Sequence, residues 1–522
     1  MAKYLIKRLL HGIVSIIIVI FIVMLLIYTC MDRTLIFASD SQYTKLAGNQ
    51  KIVYQYQKWE NYGYLDYITY ADYLESITNN GEIDEDTRAE AVQIGRKPEN
   101  DSAVTKEYVD KFTDYYTSRG YHVTRLNALV ISGSLANGGT QQLFAYKDIN
   151  IFVRLWNFIT GFIHVDNIHY VKEDIEDRGI HFTWHDPAYG GDTFAPAIMG
   201  TGTQHKYLVY FDSKFPFIHQ NLVSLRLGTS YTINKGNDVW NTMTDTQGSY
   251  VYNETTFPTG VTERSAYDIH SATYVAGSRN ASDVNQERFT DDYTNLQTNK
   301  NGMSRMGYSF VIGLISVVIA YMLGLPIGIL LARKKGKLAD ILGAIYIVFI
   351  IAVPSLAYIF MFKAIGNFMG LPTTFSVTSP TALMYILPIV SLALPSIGGL
   401  MKWMRRYMID QSNADYVKFA RSGGLSEGEI FNKHIMRNAV IPILHGIPGS
   451  ILGSLTGAII TERVYVVPGV GNVLTNAINK YDNGVIVGVT LFYAVLSVLS
   501  LILGDIMMAL ADPRISFSSK ER

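Results

Sequence analysis

The chain has 522 residues, 48% of them apolar, and its 44 basic side chains are matched by 44 acidic ones. That balance excludes the strongly basic surface of a nucleic-acid binder, and the length calls for more than one structural unit. The single cysteine, Cys30, excludes an intramolecular disulfide, so an exported region folds without covalent staples.

Lys3, Lys7 and Arg8 precede an unbroken apolar run at 12–30, close to the ~20 residues that cross a bilayer core. The run is too long for a signal peptide's apolar region and no A-x-A site follows it, so it reads as a retained helix with its N-terminus inside. From 31 to 305 the chain is polar and tyrosine-rich, with no stretch able to span. Turn signals stand at Asn79-Asn80-Gly81, Asn137-Gly138-Gly139 and Gly190-Gly191-Asp192. Residues 84–95 and 105–119 read as helices, and 207–211 and 249–252 as strands. His181, His185 and Asp186, with His164 and His169 upstream, have metal-ligand chemistry. However, Phe182-Thr183-Trp184 and Pro187 favour a strand that separates the rings, so the expectation is no metal site. Nor is there a G-x-S-x-G elbow, which leaves docking or shielding as the region's expected role.

The second span is expected at 308–332, interrupted near its inner end by Gly324-Leu325-Pro326-Ile327-Gly328 and closed by Arg333, Lys334, Lys335 and Lys337. The third, 338–362, carries Pro354, whose freed carbonyl neighbouring helices must satisfy. After a short loop at 367–380, the fourth, 381–400, contains Pro388 and Pro395 and ends at Lys402, Arg405 and Arg406. The fifth, 439–460, repeats small residues as Ser450-x3-Ser454 and Gly449-x3-Gly453-x3-Gly457, which suits close helix packing and, as a second reading, a path wall. Residues 461–481 look too polar and broken to span, and the sixth span is 485–511. Asp505 and His445 lie within spans, where a packing hydrogen bond or snorkelling is expected in preference to an ion path. All basic clusters then fall on one side, giving six spans with both termini cytoplasmic.

Residues 401–438 form the largest cytoplasmic loop. Lys418, Arg421, Lys433 and Arg437 make it basic, Ser422-Gly423-Gly424 breaks it into two helical halves, and Ser426 with Glu429 has capping-box spacing. Such a helix–turn–helix is a handle for another protein. Its sequence resembles the EAA loop of ABC importer permeases of the dipeptide/oligopeptide/nickel group, D-Y-V-x-x-A-R-x-x-G-L-S followed by H-x-x-R-N-A-x-x-P. Those positions are Asp415, Tyr416, Val417, Ala420, Arg421, Gly424, Leu425, Ser426, His434, Arg437, Asn438, Ala439 and Pro442. The glutamate of the general EAA motif is replaced by Lys418. MAKYLIKRLLHGI at the start, the stretches at 154–158 and 227–231, and Asp512-Pro513-Arg514 are also similar to that group. So is Glu462 with Pro468, Gly469 and Gly471, matching E-x-x-F-x-x-P-G-x-G with Val466 near the aromatic position.

The resemblance implies an α-helical membrane protein of the type I ABC importer permease kind, with six transmembrane helices and a mixed α+β extracytoplasmic domain inserted between helices 1 and 2. The expected divisions are 1–30, 31–305 and a permease core at 306–522. Asp415, Tyr416, Ala420, Arg421, Gly423, Gly424, Leu425, Ser426 and Glu427 would dock a cytoplasmic ATPase, the glycines allowing close backbone packing at the turn. Ser450, Gly453, Ser454 and Gly457 would pack helices or line the path. The chain has no G-x-x-x-x-G-K-[ST] stretch, Gly336-Lys337 being the nearest pair. It therefore carries no cofactor of its own, and ATP and Mg belong on partner ATPases. The implied partners are a second homologous permease, two ATPases, an external and lipid-anchored peptide-binding protein, a peptide substrate and the bacterial plasma membrane. Nickel or another small solute is the alternative cargo. A membrane-anchored sensor or enzyme working through the insert, and an ion-coupled carrier, are the other classes weighed.

Overall fold

The computed structural model describes residues 2–95, 97–126, 130–131, 134–135, 142–165, 180–185, 192, 194, 196–200, 207–211, 218–220, 223–256, 262–266, 273–274, 293–294 and 300–511. Asn137-Gly138-Gly139, Gly190-Gly191, His169, Asp186, Pro187 and the 512–514 terminus lie outside them. Two units divide the chain, one of 21–161 with 480–484 and one of 1–20, 162–479 and 485–522. Helix α1, Ala2–Cys30, has residues in both.

The first unit carries α2, Ser41–Lys45, and α3, Gly48–Asn61. A three-stranded antiparallel sheet follows, with β1, Leu65–Thr69, and β2, His122–Leu126, flanking β5, Gln142–Asp148. Short strands β3, Val130–Ile131, and β4, Ser134–Leu135, pair with each other. Against the sheet pack α4, Tyr70–Asn79, α5, Glu85–Ala91, and α6, Ala103–Thr117. Each of these three helices starts on a side-chain cap: Thr69 in a capping box with Asp72, Asp84 to Thr87, and Ser102 to Thr105. The amphipathic faces bury Tyr70, Leu74, Phe112 and Ala145 in one core. Both helices expected here are present, trimmed to their caps. The unit closes with α7, Ile151–Gly161.

In the second unit β6, Ile163–Val165, pairs with β11, Val223–Leu225. A sheet ordered β10-β9-β8-β7 joins Ile180–Thr183 (β7), Ala197–Gly200 (β8), Tyr207–Phe211 (β9) and Ile218–Gln220 (β10). The 207–211 strand stands where the sequence places it. The one expected at 249–252 does not: Tyr250 makes only an isolated bridge to Lys300, and the strand is Asn253–Thr256. Among the described residues no group of three His, Cys, Asp or Glu gathers to hold a metal.

Composition changes at 305, but packing does not. Gln247 N donates to Met303 O at 3.1 Å, and Thr246 bridges to Ser304. Leu227, and Val239 of helix α8, Val239–Thr244, close on Gly488. The 31–305 region is thus divided between the two units near 161, because hydropathy marks where a membrane begins and contacts mark which segments fold together.

The spanning helices are α9, Arg305–Arg333; α10, Leu338–Ala352, with α11, Ser355–Phe368; α12, Leu383–Ser412; a long helix entered through the 427–435 turns; and a last one, Asn483–Ala511. Five helices among the described residues are long and apolar enough to cross, and a sixth span results if α10 and α11 count as one. That pair corrects the expected single helix at 338–362. The chain turns 108° between them, with Val353 extended at φ −81, ψ 128, the conformation that a following proline such as Pro354 favours for its predecessor. A second correction concerns Gly324 to Gly328, which do not interrupt α9. The helix runs through Pro326, and a Cβ on Gly324 would lie 2.9 Å from Leu400 Cβ, one on Gly328 2.9 Å from Met404 Cβ. These glycines let α9 and α12 approach closely.

Candidate functional site

The loop at 413–435 is built on the C-terminal end of α12. Met404 and Met408 there are fully buried with Val417 and Ile430 of the loop, and Tyr321, Leu325 and Ile329 of α9 pack against the same cluster. Helix α13, Asp415–Ser422, follows. Its end is a Schellman motif: Leu425 N donates to Ala420 O, and Gly424 N to Arg421 O, both at 3.2 Å. Gly424 takes the left-handed conformation this requires, with φ +80. A Cβ there would meet nothing of this chain within 4 Å, so the close packing expected at the turn is not made within the chain. Backbone conformation, not crowding within the chain, selects glycine. Gly423, at φ −77, is an ordinary helix cap.

Ser426 starts the second half, α14, Glu427–Glu429, in the expected capping box, with Glu429 N donating to Ser426 Oγ and Ser426 N to Glu429 Oε2, each at 3.3 Å. Across the turn Arg421 grips Glu427 with two bonds, 2.5 and 3.0 Å. Tyr416 Oη donates to Gln411 Oε1 at 2.8 Å and ties α13 back to α12, while Asp415 pairs only with Lys418, in solvent. A π-turn at Ile430–Ile435 leads into α15, Met436–Tyr465. Phe419 is 76% exposed and Leu425 39% exposed. The loop thus holds two apolar side chains to solvent on a frame fixed from behind.

At α10's entry Asp340 receives two bonds from Arg405, at 2.6 and 2.8 Å, and one from Gly336 N at 2.9 Å. Nothing local in the sequence marks that clamp, because its halves lie on separate helices. Asp505 accepts from Tyr4 Oη at 3.0 Å and pairs with Arg8 at 2.9 Å, a packing role as expected. His445 departs from it: its buried Nδ1 has no partner among the described residues.

The expected small-residue face of α15 divides in two. Ser450 bonds Tyr321 Oη at 2.9 Å, and Ser454 is buried where a Cβ on Gly313 would lie 2.8 Å from its Oγ, so the serines meet α9. Gly449 and Gly453 instead face space, with nothing of this chain within 4 Å of an added Cβ, so within the chain the close packing expected of the small-residue face falls to the serines, and the glycines are left to a partner helix or the path. The stripes are offset by one residue, about 100° around a helix. Gly457 lies further along the same helix. Gly453 borders a cavity of about 440 Å³, whose wall includes Tyr321, Ser355, Ser391, Ser450, Ser454 and Thr461. Among the described residues no charged side chain lines it. Thr461 is 1% exposed and its Oγ1 has no partner among the described residues.

Residues 461–465 are helical, against the expectation of a broken polar segment. Glu462, fully buried, accepts from Ser309 Oγ at 2.6 Å and from Asn472 N at 3.0 Å, so its carboxylate caps α16, Val470–Asn479. A Cβ on Gly469 would fall 2.3 Å from that carboxyl carbon. The aromatic of the motif is Tyr465, not Val466: Tyr465 Oη lies 2.9 Å from Ser391 Oγ and donates to Ile359 O at 3.2 Å. Spacing from Glu462 could have identified it. The partners Ser309 and Ser391 could not be read locally.

The family model "Binding-protein-dependent transport system inner membrane component" matches residues 324–517. The oligopeptide transport system permease protein AmiC of Streptococcus pneumoniae is 34% identical over 528 residues, 100% of this chain and 99% of its own length. That alignment takes in the 31–305 region. The dipeptide transport system permease protein DppB of Bacillus subtilis is 31% identical over 224 residues, 42% of this chain and 72% of its own. Among solved structures, the inward-facing MetNI methionine ABC transporter aligns with 39% of this chain and 93% of its own, at TM-score 0.33 and 13% identity. With a full-length relative at this identity and the family's loop formed in the structure, the chain belongs to the oligopeptide and dipeptide permease family of binding-protein-dependent ABC importers, as a multi-pass permease subunit and not an enzyme.

Proposed function

We propose that the chain imports oligopeptides across a bacterial plasma membrane as one of two homologous permeases flanking a shared path. Two cytoplasmic ATPases, which bind the ATP and Mg, grip the loop at 415–429, and an external lipid-anchored protein delivers the peptide. The observation that carries this reading is the preformed helix–turn–helix with Phe419 and Leu425 held out to solvent. Apolar anchors on a fixed frame are what a docking cleft requires. Lys3, Lys7, Arg8, Arg333 to Lys337, Lys402 and the loop's basic residues support a cytoplasmic side shared by both termini. Residues 31–305 are then outside, positioned to meet the binding protein. The uncharged, hydroxyl-rich cavity suits a cargo held by its peptide groups, whatever its side chains.

The test is purification of the tagged chain from its native membrane in mild detergent, with mass spectrometry of what accompanies it. Two P-loop ATPases, a second permease and a peptide-binding lipoprotein are expected; the chain alone would overturn the reading. Phe419→Asp should strip the ATPases from that complex, with a loss of about 2 kcal/mol or more, while the chain stays inserted at its normal level.

A further inference from the structure

Helix α7 is short, and its sequence is IFVRLWNFITG. Phe152, Val153 and Trp156 share one face, and they are 63%, 49% and 67% exposed. Such a cluster on a folded surface marks something that covers it. The helix is fastened to α1 by Arg154 and by the inner edge of that face, at Phe152. The Arg154 guanidinium lies 3.6 Å from the centre of the Tyr28 ring and 4.1 Å from that of Tyr64, near the end of α1 at Cys30. Phe152 stacks on Phe21 at 5.7 Å, and Phe21 lies about 13 Å further down α1 at ~1.5 Å per residue.

That depth decides the occupant. On the same stretch of α1, Ile22 is 48% and Leu26 54% exposed, as a surface facing acyl chains requires. The apolar face of α7 continues this surface. Asn157 and Thr160, also exposed, continue the face towards the C-terminal end of the helix, so apolar and aromatic side chains give way to polar ones along it, as at a membrane interface.

We infer that α7 lies in the membrane interface beside α1, with Phe152, Val153 and Trp156 in contact with lipid acyl chains, and so seats the 21–161 unit on the bilayer. The inference rests on the chain being a membrane permease and is independent of what it transports.

The experiment uses the full chain in vesicles of phosphatidylcholine and phosphatidylglycerol, alone and with its co-purifying subunits. In a Cys30→Ser background a nitroxide is placed at Val153→Cys, with Ile22→Cys as the lipid control and Tyr115→Cys, on the exposed surface of α6, as the water control. Oxygen and a water-soluble nickel chelate serve as relaxing agents. Position 153 should collide with oxygen and be protected from nickel, as position 22 is. Collision with nickel as at 115 would place the face in water, and protection from both agents would mean that protein covers it; either result overturns the inference. The unlabelled chain gives a second reading. Lipids brominated on their acyl chains should quench the fluorescence that Trp156→Phe removes, and the absence of that quenching also overturns the inference.

Discussion

Gly424 offers the sharpest test of why the coupling loop is built as it is. Its φ of +80 ends α13, and no atom of the chain stands within 4 Å of where a Cβ would be. A side chain there is therefore opposed by backbone strain, about 1–2 kcal/mol for an ordinary residue in the left-handed region. That energy shifts the balance between the formed and unformed turn by about 5- to 30-fold. Asparagine tolerates this region and serves at the same position in other helix ends, so Gly424→Asn should keep most activity. Gly424→Ala should lose uptake by up to that factor, and a β-branched Gly424→Val more. Gly424→Trp adds bulk at the docking face and should abolish coupling. Labelled-peptide uptake in cells, normalised to the amount of inserted chain, measures the effect, with ATP hydrolysis by the purified complex as a second readout. Full uptake by a normally inserted Gly424→Ala variant would refute the strain argument. Equal failure of Asn and Ala would show that space at the docking face, not φ, selects the glycine.

Three further outcomes follow from the packing. Glu462→Ala removes the cap on α16, leaves Asn472 N without its acceptor at about 1–3 kcal/mol, and takes the acceptor of the Ser309 hydroxyl, which keeps only the bond it receives from Val470 N. Gly469→Ala should give a comparable loss by collision with the carboxylate, and both should lower the midpoint of thermal unfolding in detergent. Arg405→Ala leaves Asp340 nearly buried without its partner and should destabilise by up to about 3–5 kcal/mol, with Arg405→Lys restoring only part because a lysine cannot make both bonds; equal stability of all three proteins would count against the clamp. Thr461→Val replaces an unpartnered buried hydroxyl by a group of the same shape, so thermal stability should hold or rise. If that hydroxyl meets the passing peptide, uptake falls in the same variant, and unchanged uptake removes Thr461 from the path.

What the sequence reveals here is mostly local. Ser426 and Glu429 announce a helix start within four residues, Asp84 and the 207–211 strand do the same in the polar region, and each expected span falls on a long apolar helix or, at 338–362, on a bent pair. The bend at Pro354 was within reach, since a residue before proline resists the helix, but span length alone argued for one helix. Gly324 and Gly328 read as a break because glycine is a poor helix former; their reason is α12, contributed from about seventy positions away. Separations of 153 and 65 positions likewise hid Ser309 from Glu462 and Arg405 from Asp340. The sequence motif Glu462, Tyr465, Pro468, Gly469 and Gly471 was visible as spacing, whereas its physics needs a second helix to hold the carboxylate.

Helix α15 connects the two ends of this arrangement. It begins at the π-turn of the coupling loop and ends beside Glu462 and the capped α16, about 45 Å away at ~1.5 Å per residue. A force on the loop has two routes inward. One is α12, stiffened by close contact with α9 and by the Asp340–Arg405 clamp. The other is α15, which carries Pro442 and Pro448 in its first half and open space beside Gly446, Gly449 and Gly453. Proline removes a helix bond and glycine leaves no side chain to resist a shift, so bending should concentrate between about 442 and 453, next to the hydroxyl-lined cavity. The far end is braced by Glu462 and Tyr465 and should stay straight. Distances measured by paired spin labels with and without a trapped ATP state should therefore change between α12 and position 446 more than between α12 and position 463. A uniform change along α15 would mean that it moves as one rigid lever.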